Sequence, residues 1–113
     1  MRVFAMSDIH GHIHAFHEAL QFVDLSGDNQ FVLCGDYIHG GEDDYAVLDQ
    51  IMKLGKKYGS EKIIVLAGNH EDMACDGRQP IGTSRLLDSQ TKRSHDNPYI
   101  LWMQKLRRYY VVD

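Results

Sequence analysis

Apolar residues along the chain alternate between short unbroken runs and runs of helical spacing. "RVFAMS" (2–7), "FVLC" (31–34) and "KIIVLAG" (62–68) are apolar stretches of strand length, each followed by turn-forming residues. Between the first two, Ile13, Phe16, Leu20 and Val23 recur on one face of 13–25 until "SGD" breaks the pattern. Val47, Leu48, Ile51 and Leu54 do the same over 44–59, with Gly59 as the stop. The order β-α-β-α-β with short links predicts an α/β fold on a parallel sheet with right-handed crossovers. Past Gly77 the chain turns polar. A further helix is expected at 98–106, "PYILWMQKL", with proline in its first turn, and a last strand at 109–113, "YYVVD".

In such a sheet the C-terminal strand ends meet along one edge, where open α/β folds carry their sites. The residues expected there are Asp8 and His10, then Asp36, then Asn69 and His70. Asp8 and His10 are two apart, so an extended chain would point both side chains the same way. Each is a metal-ligand or proton-transfer group. Gly11, Gly35 and Gly68 beside them permit sharp turns and open space. Taken singly they have plainer readings: Gly-Asp after a strand is turn chemistry, and Asn-His ahead of Glu-Asp can cap a helix. Three consecutive strand ends with the same chemistry argue for one shared site.

Composition narrows the setting. A formal net charge of -4 and a pI near 5.9 argue against a nucleic-acid polymer or an anionic membrane as partner. Cys34 and Cys75 have neither metal-ligand spacing nor enough company for a disulfide framework, which fits a reducing compartment. Asp8 arrives too early for the apolar core of a signal peptide. No apolar run approaches the roughly 18–20 residues of a membrane helix. A cytoplasmic location without membrane contact is the expectation.

"SDIHG", "GDYIHGG" and "GNHE", in this order and at this spacing, resemble the motifs of the calcineurin-like metallophosphoesterases. The branch most similar is that of the bacterial serine/threonine phosphatases and symmetrical diadenosine tetraphosphatases, whose pattern reads GDxHG, GDxxDRG, GNHE. The resemblance covers residues 2–76 and, more loosely, the segment from "PYILWMQKL" onward. It implies that residues 1–113 form the N-terminal part of a four-layer αββα sandwich, namely its β-α-β-α-β parallel-sheet half. It also implies a dinuclear metal centre acting on a phosphorylated substrate, either a phosphoprotein or a nucleotide. By matching positions, Asp8 and His10 would hold the first metal, Asp36 would bridge, and Asn69 would hold the second. His70 would donate a proton to the leaving oxygen. A bridging carboxylate sets two cations about 3.5–4 Å apart, close enough to activate one water and clamp a phosphoryl group. The ligand types suit divalent manganese, first of all, or iron or zinc.

The chain departs from that pattern at two points. His39 stands where the family carries an aspartate that supports the catalytic histidine, and Gly40 stands where it carries a phosphate-gripping arginine. His39 could accept a hydrogen bond from His70 as a neutral imidazole, or it could be a polar turn residue. Arg78, Arg85, Glu42 or Asp43 could compensate for Gly40. The family also draws two histidines for its second metal from further along, so that ion is expected to keep only Asp36 and Asn69; His95 is read as unrelated and exposed. An unfinished sheet of this kind is expected to leave an apolar face open and to self-associate. A non-catalytic remnant that binds a metal or a partner is the alternative to a phosphoesterase.

Overall fold

The computed structural model describes residues 1–75 and 98–111. Strand β1 (Val3–Met6), helix α1 (Ile13–Leu20), β2 (Gln30–Leu33), α2 (Asp44–Tyr58) and β3 (Ile63–Val65) follow in the expected order, then helices α3 (Asn69–Cys75) and α4 (Pro98–Gln104). The three strands form a parallel sheet in the order β1-β2-β3. The fold is thus α/β on a parallel sheet, as the order of elements predicted. Arg78, Arg85 and His95 lie outside the described residues.

Register explains which face of the sheet is buried. Phe4, Phe31 and Ile63 lie in one row and Met6, Leu33 and Val65 in another on the same face. These rows belong to the main core, together with Ile13 and Phe16 of α1 and Val47, Leu48 and Ile51 of α2. The intervening row on the opposite face is Ala5, Val32 and Ile64. There the expectation of an open apolar face needs correcting: Val32 and Ile64 are buried, and among the described strand residues of that face the exposed ones are Val3 and Ala5 of β1.

Two elements depart most from the sequence reading. α1 stops at Leu20 rather than continuing to 25, although Val23 and Leu25 still pack against the core. A tight turn carries them there: the Phe22 and Val23 N–H groups donate to the Ala19 and Leu20 carbonyls three residues back. The apolar spacing therefore reported burial, not helix. The expected strand "YYVVD" is likewise not one, since 109–111 form no ladder and 112–113 fall outside the described residues. The pairing occurs earlier, as a parallel bridge between Leu66 and Arg107, with the Ala67 N–H donating to the Arg107 carbonyl.

α2 has the clearest terminal signals. The Asp43 carboxylate caps it by accepting from the Ala46 N–H, and Gly59, at φ +91°, ends it. Past the strands, the parallel ladder continues into the loops: His10 N–H donates to Asp36 O and Gly11 N–H to Tyr37 O. The loops themselves pack backbone to backbone. A Cβ added at Gly41 would fall 2.2 Å from the Gly11 carbonyl carbon and 2.4 Å from the His10 carbonyl oxygen. We expect Gly41→Ala to destabilise the protein severely. Gly55, inside α2 with open space around it, should do the reverse, gaining roughly 1 kcal/mol as Gly55→Ala from helix propensity alone. Urea unfolding of both variants checks the pair, and equal effects would refute the backbone contact.

Candidate metal centre

Asp8, His10 and Asp36 come from the ends of β1 and β2, and each can place a ligand atom within 4.8 Å of the other two. They do not meet as the sequence suggested. Asp8 and His10 are not on extended chain; both are left-handed, with φ of +56° and +47°. Asp36 (φ +59°) and His39 (φ +76°) are left-handed as well, and these four are all the non-glycine residues of that kind among the described residues. Side chains other than Gly, Asn and Asp rarely adopt this region, and strain of this sort collects at sites that need an exact side-chain direction.

The donors are oriented for a cation. His10 Nδ1 lies 3.1 Å from the Ile38 carbonyl, which can only accept, so Nδ1 carries a proton and the neutral ring presents its Nε2 lone pair. That Nε2 faces Asp8 Oδ1 at 3.5 Å. A proton on Nε2 or a metal ion beside both atoms would satisfy this pair. Asp8 is further held by the Ser7 hydroxyl, which donates to its Oδ2 at 2.9 Å.

α3 brings up the third strand end. The helix begins at Asn69, so Asn69 and His70 stand in its first turn. With its NH2 turned toward Asp36, Asn69 donates to Oδ1 at 2.8 Å and to Oδ2 at 3.2 Å. Turned the other way, its carbonyl oxygen faces the same carboxylate and needs a cation to bring them together. The His70 backbone N–H donates to Asp36 Oδ1 at 3.2 Å, and the His70 ring packs edge-on to His10 with centroids 4.7 Å apart. The structure therefore gathers Asp8, His10, Asp36, Asn69 and His70 in one place. The donor set of carboxylates, one imidazole with a fixed tautomer, and an amide oxygen fits a divalent metal.

The chain belongs to the calcineurin-like phosphoesterase family. That family's profile matches residues 1–112. No curated protein gives a match. Among solved structures, the chain is similar to the cold-active protein-tyrosine phosphatase of a psychrophile, Shewanella sp., at 24% identity and a TM-score of 0.66, covering 88% of this chain and 32% of that one. It is similar to a metallophosphoesterase from Sphaerobacter thermophilus at 18% identity and a TM-score of 0.59, covering 99% and 43%. A candidate diadenosine tetraphosphatase is similar at 21% identity and a TM-score of 0.59, covering 93% and 42%. The chain thus spans less than half the length of these solved chains, and at such identities the likeness establishes the fold.

Two residues act on the centre from beneath. Glu71, fully buried, closes the "GNHE" stretch, which by itself assigns it no role. Its Oε1 accepts from the Asp36 N–H at 2.7 Å and the Gly68 N–H at 2.9 Å, and its Oε2 accepts from the Tyr37 N–H at 2.9 Å. Burial raises its carboxyl above the ordinary value, against the three N–H groups that favour the charge. The other is His39. At 4% exposure it is not a solvated turn residue. Its backbone N–H donates to the buried Asp44 carboxylate, and its Nδ1 lies 2.9 Å from His70 Nδ1. Burial, then the His70 and His10 rings, hold the His39 imidazole down at about 4, so it is neutral. Burial likewise lifts Asp44 to about 6, the His39 N–H partly offsetting it.

Glu71→Ala would leave three backbone N–H groups without their acceptor, a loss of at least ~3 kcal/mol; denaturant unfolding reads this, and Glu71→Gln should recover part of it. His39 yields a pH signature. Its folded pKa is depressed, so its stabilisation is complete above its unfolded value and is lost as pH falls toward about 4. The stability of wild type minus that of His39→Asn should therefore shrink between pH 7.5 and 5, the pH values being on the order of the ordinary histidine range. A difference that grows on acidification would mean His39 is charged in the fold.

Proposed function

We propose that the chain is a metal-dependent phosphoesterase acting on phosphate monoesters of protein serine or threonine, or on dinucleoside polyphosphates. The observation that carries this reading is the Asp8, His10 and Asp36 cluster, whose ligand atoms lie within 4.8 Å of one another, with the Ile38 carbonyl leaving the Nε2 of a neutral His10 free to face Asp8. In this reading Asp8, His10 and Asp36 hold one divalent ion, with manganese the first choice and iron or zinc meeting the same ligand set. Asp36 and Asn69 would hold a second, with water completing its shell. Bound ions supply an activated water and a clamp on the phosphoryl oxygens.

The chain's own groups do the positioning. Glu71 fixes the backbone of Asp36, and Asp36 in turn accepts from the His70 N–H, so carboxylate and imidazole keep one spacing. His70 is the group we assign to proton transfer toward the leaving oxygen. The similarity to a tyrosine phosphatase and to a candidate diadenosine tetraphosphatase supports a phosphoester or phosphoanhydride without choosing between them. A second reading, a metal-binding remnant without turnover, draws on Gly40, which offers no side chain to a phosphate, and on the uncharged His39.

Elemental analysis after dialysis and hydrolysis of an aryl phosphate, with and without chelator, separate these readings. We expect about one tightly held manganese or zinc per chain, because two donors alone hold an ion poorly. Asp36→Asn should lose it, and hydrolysis should be slow and chelator-sensitive. Bound metal without chelator-sensitive hydrolysis would establish the remnant, and no retained metal at all would overturn both readings.

A further inference from the structure

The pairing of His39 with His70 carries a consequence for which nitrogen of His70 bears a proton. The two Nδ1 atoms are 2.9 Å apart, so one donates and the other accepts. The remaining nitrogen of His39, Nε2, is buried and has no hydrogen-bond partner among the described residues. If His70 were the donor, a neutral His39 would have to carry its proton on that Nε2, burying an N–H with no acceptor. If His39 is the donor, Nε2 is only a bare lone pair. Orphaned buried N–H groups are the rarer and costlier of the two.

The geometry points to His39 as a positioning residue that donates from its Nδ1–H to His70 Nδ1, and so fixes the proton of neutral His70 on Nε2. The burial of His39 supports this by keeping its ring uncharged, with one proton to give. The inference rests on the phosphoesterase reading only for its meaning: a neutral His70 then offers an N–H to an anionic oxygen without first being protonated. An acceptor-only residue at position 39 would leave neutral His70 with the opposite tautomer, with Nδ1 protonated and Nε2 bare. Both His39 and any replacement must also tolerate φ +76°, which restricts useful variants to residues such as Asn and Asp.

Nitrogen-15 NMR of the imidazole rings tests this on the metal-free chain at a mildly alkaline pH, where histidines are neutral. Wild type should show His39 protonated on Nδ1 and His70 on Nε2. His39→Asp, whose carboxylate only accepts, should move the His70 proton to Nδ1. His39→Asn, whose amide can donate, should leave it on Nε2, and both variants should keep the wild-type circular dichroism. The opposite wild-type tautomers would overturn the inference. So would a His70 tautomer that stays the same in His39→Asp, or averaging of both rings at the ratio of free imidazole. If a variant unfolds, the wild-type spectrum alone decides. None of these readouts depends on hydrolysis, so an inactive protein with the stated tautomers would refute the phosphoesterase reading and leave the pairing intact.

Discussion

Three backbone N–H groups from two different strand ends converge on one buried carboxylate, that of Glu71. Past the last residues of β2 and β3 the chain leaves the sheet, and its N–H groups lose their ladder partners while still inside the protein. Glu71 supplies the missing acceptors for Asp36, Tyr37 and Gly68 at once. Because it sits in the first turn of α3, it also locks that helix to the loop following β2. Tyr37 reinforces the joint: its buried hydroxyl accepts from the Gly35 N–H and lies within hydrogen-bond reach of the Leu33 and Leu66 carbonyls. Asp36, Asn69 and His70 share one site because these two side chains leave the loops almost no freedom.

That restraint makes the left-handed backbone tolerable. Asp8, His10, Asp36 and His39 each hold a conformation that disfavours most side chains. Each is tied by bonds that a relaxed conformation would break: Asp8 through Gly35 O, His10 through Asp36 O and Ile38 O, Asp36 through Glu71, and His39 through Asp44. Strain stored at the site is thus balanced against buried polar contacts elsewhere in the same loops. Close approach of backbone completes the arrangement, since a Cβ at Gly35 would fall 2.7 Å from Gly68 Cα.

The sheet and the two crossover helices were legible because their signals are periodic and local: apolar runs, Asp43 before α2, Gly59 after it. Topology is why the strand-end residues Asp8, His10, Asp36, Asn69 and His70 could be expected to lie together, and they do. What was hidden depends on contacts across the chain. Glu71 closes the "GNHE" motif, but its role shows only in its three N–H partners. Val23 and Leu25 keep helical spacing while packing from a turn, so periodicity could not mark where α1 ends. Arg107 lies outside the stretch rich in strand formers, yet it is the residue paired with Leu66. The burial of His39 was equally out of reach, because its neighbours Gly40 and Gly41 read as an exposed turn.

The Ile38 contact sets His10 apart from its neighbour in a way that bears on how this site can change over generations. The partner that orients His10 is a main-chain carbonyl. Substituting the side chain at position 38 leaves that acceptor in place, so a single codon change there does not reach it directly. The partner of His70 is the side chain one residue further on, and a single codon change can replace it with a group of another charge or another polarity. One imidazole is therefore insulated from mutation while the other is open to retuning. Within the few residues that tolerate its left-handed backbone, position 39 can vary the proton chemistry of this centre while the Ile38 carbonyl that orients His10 stays in place.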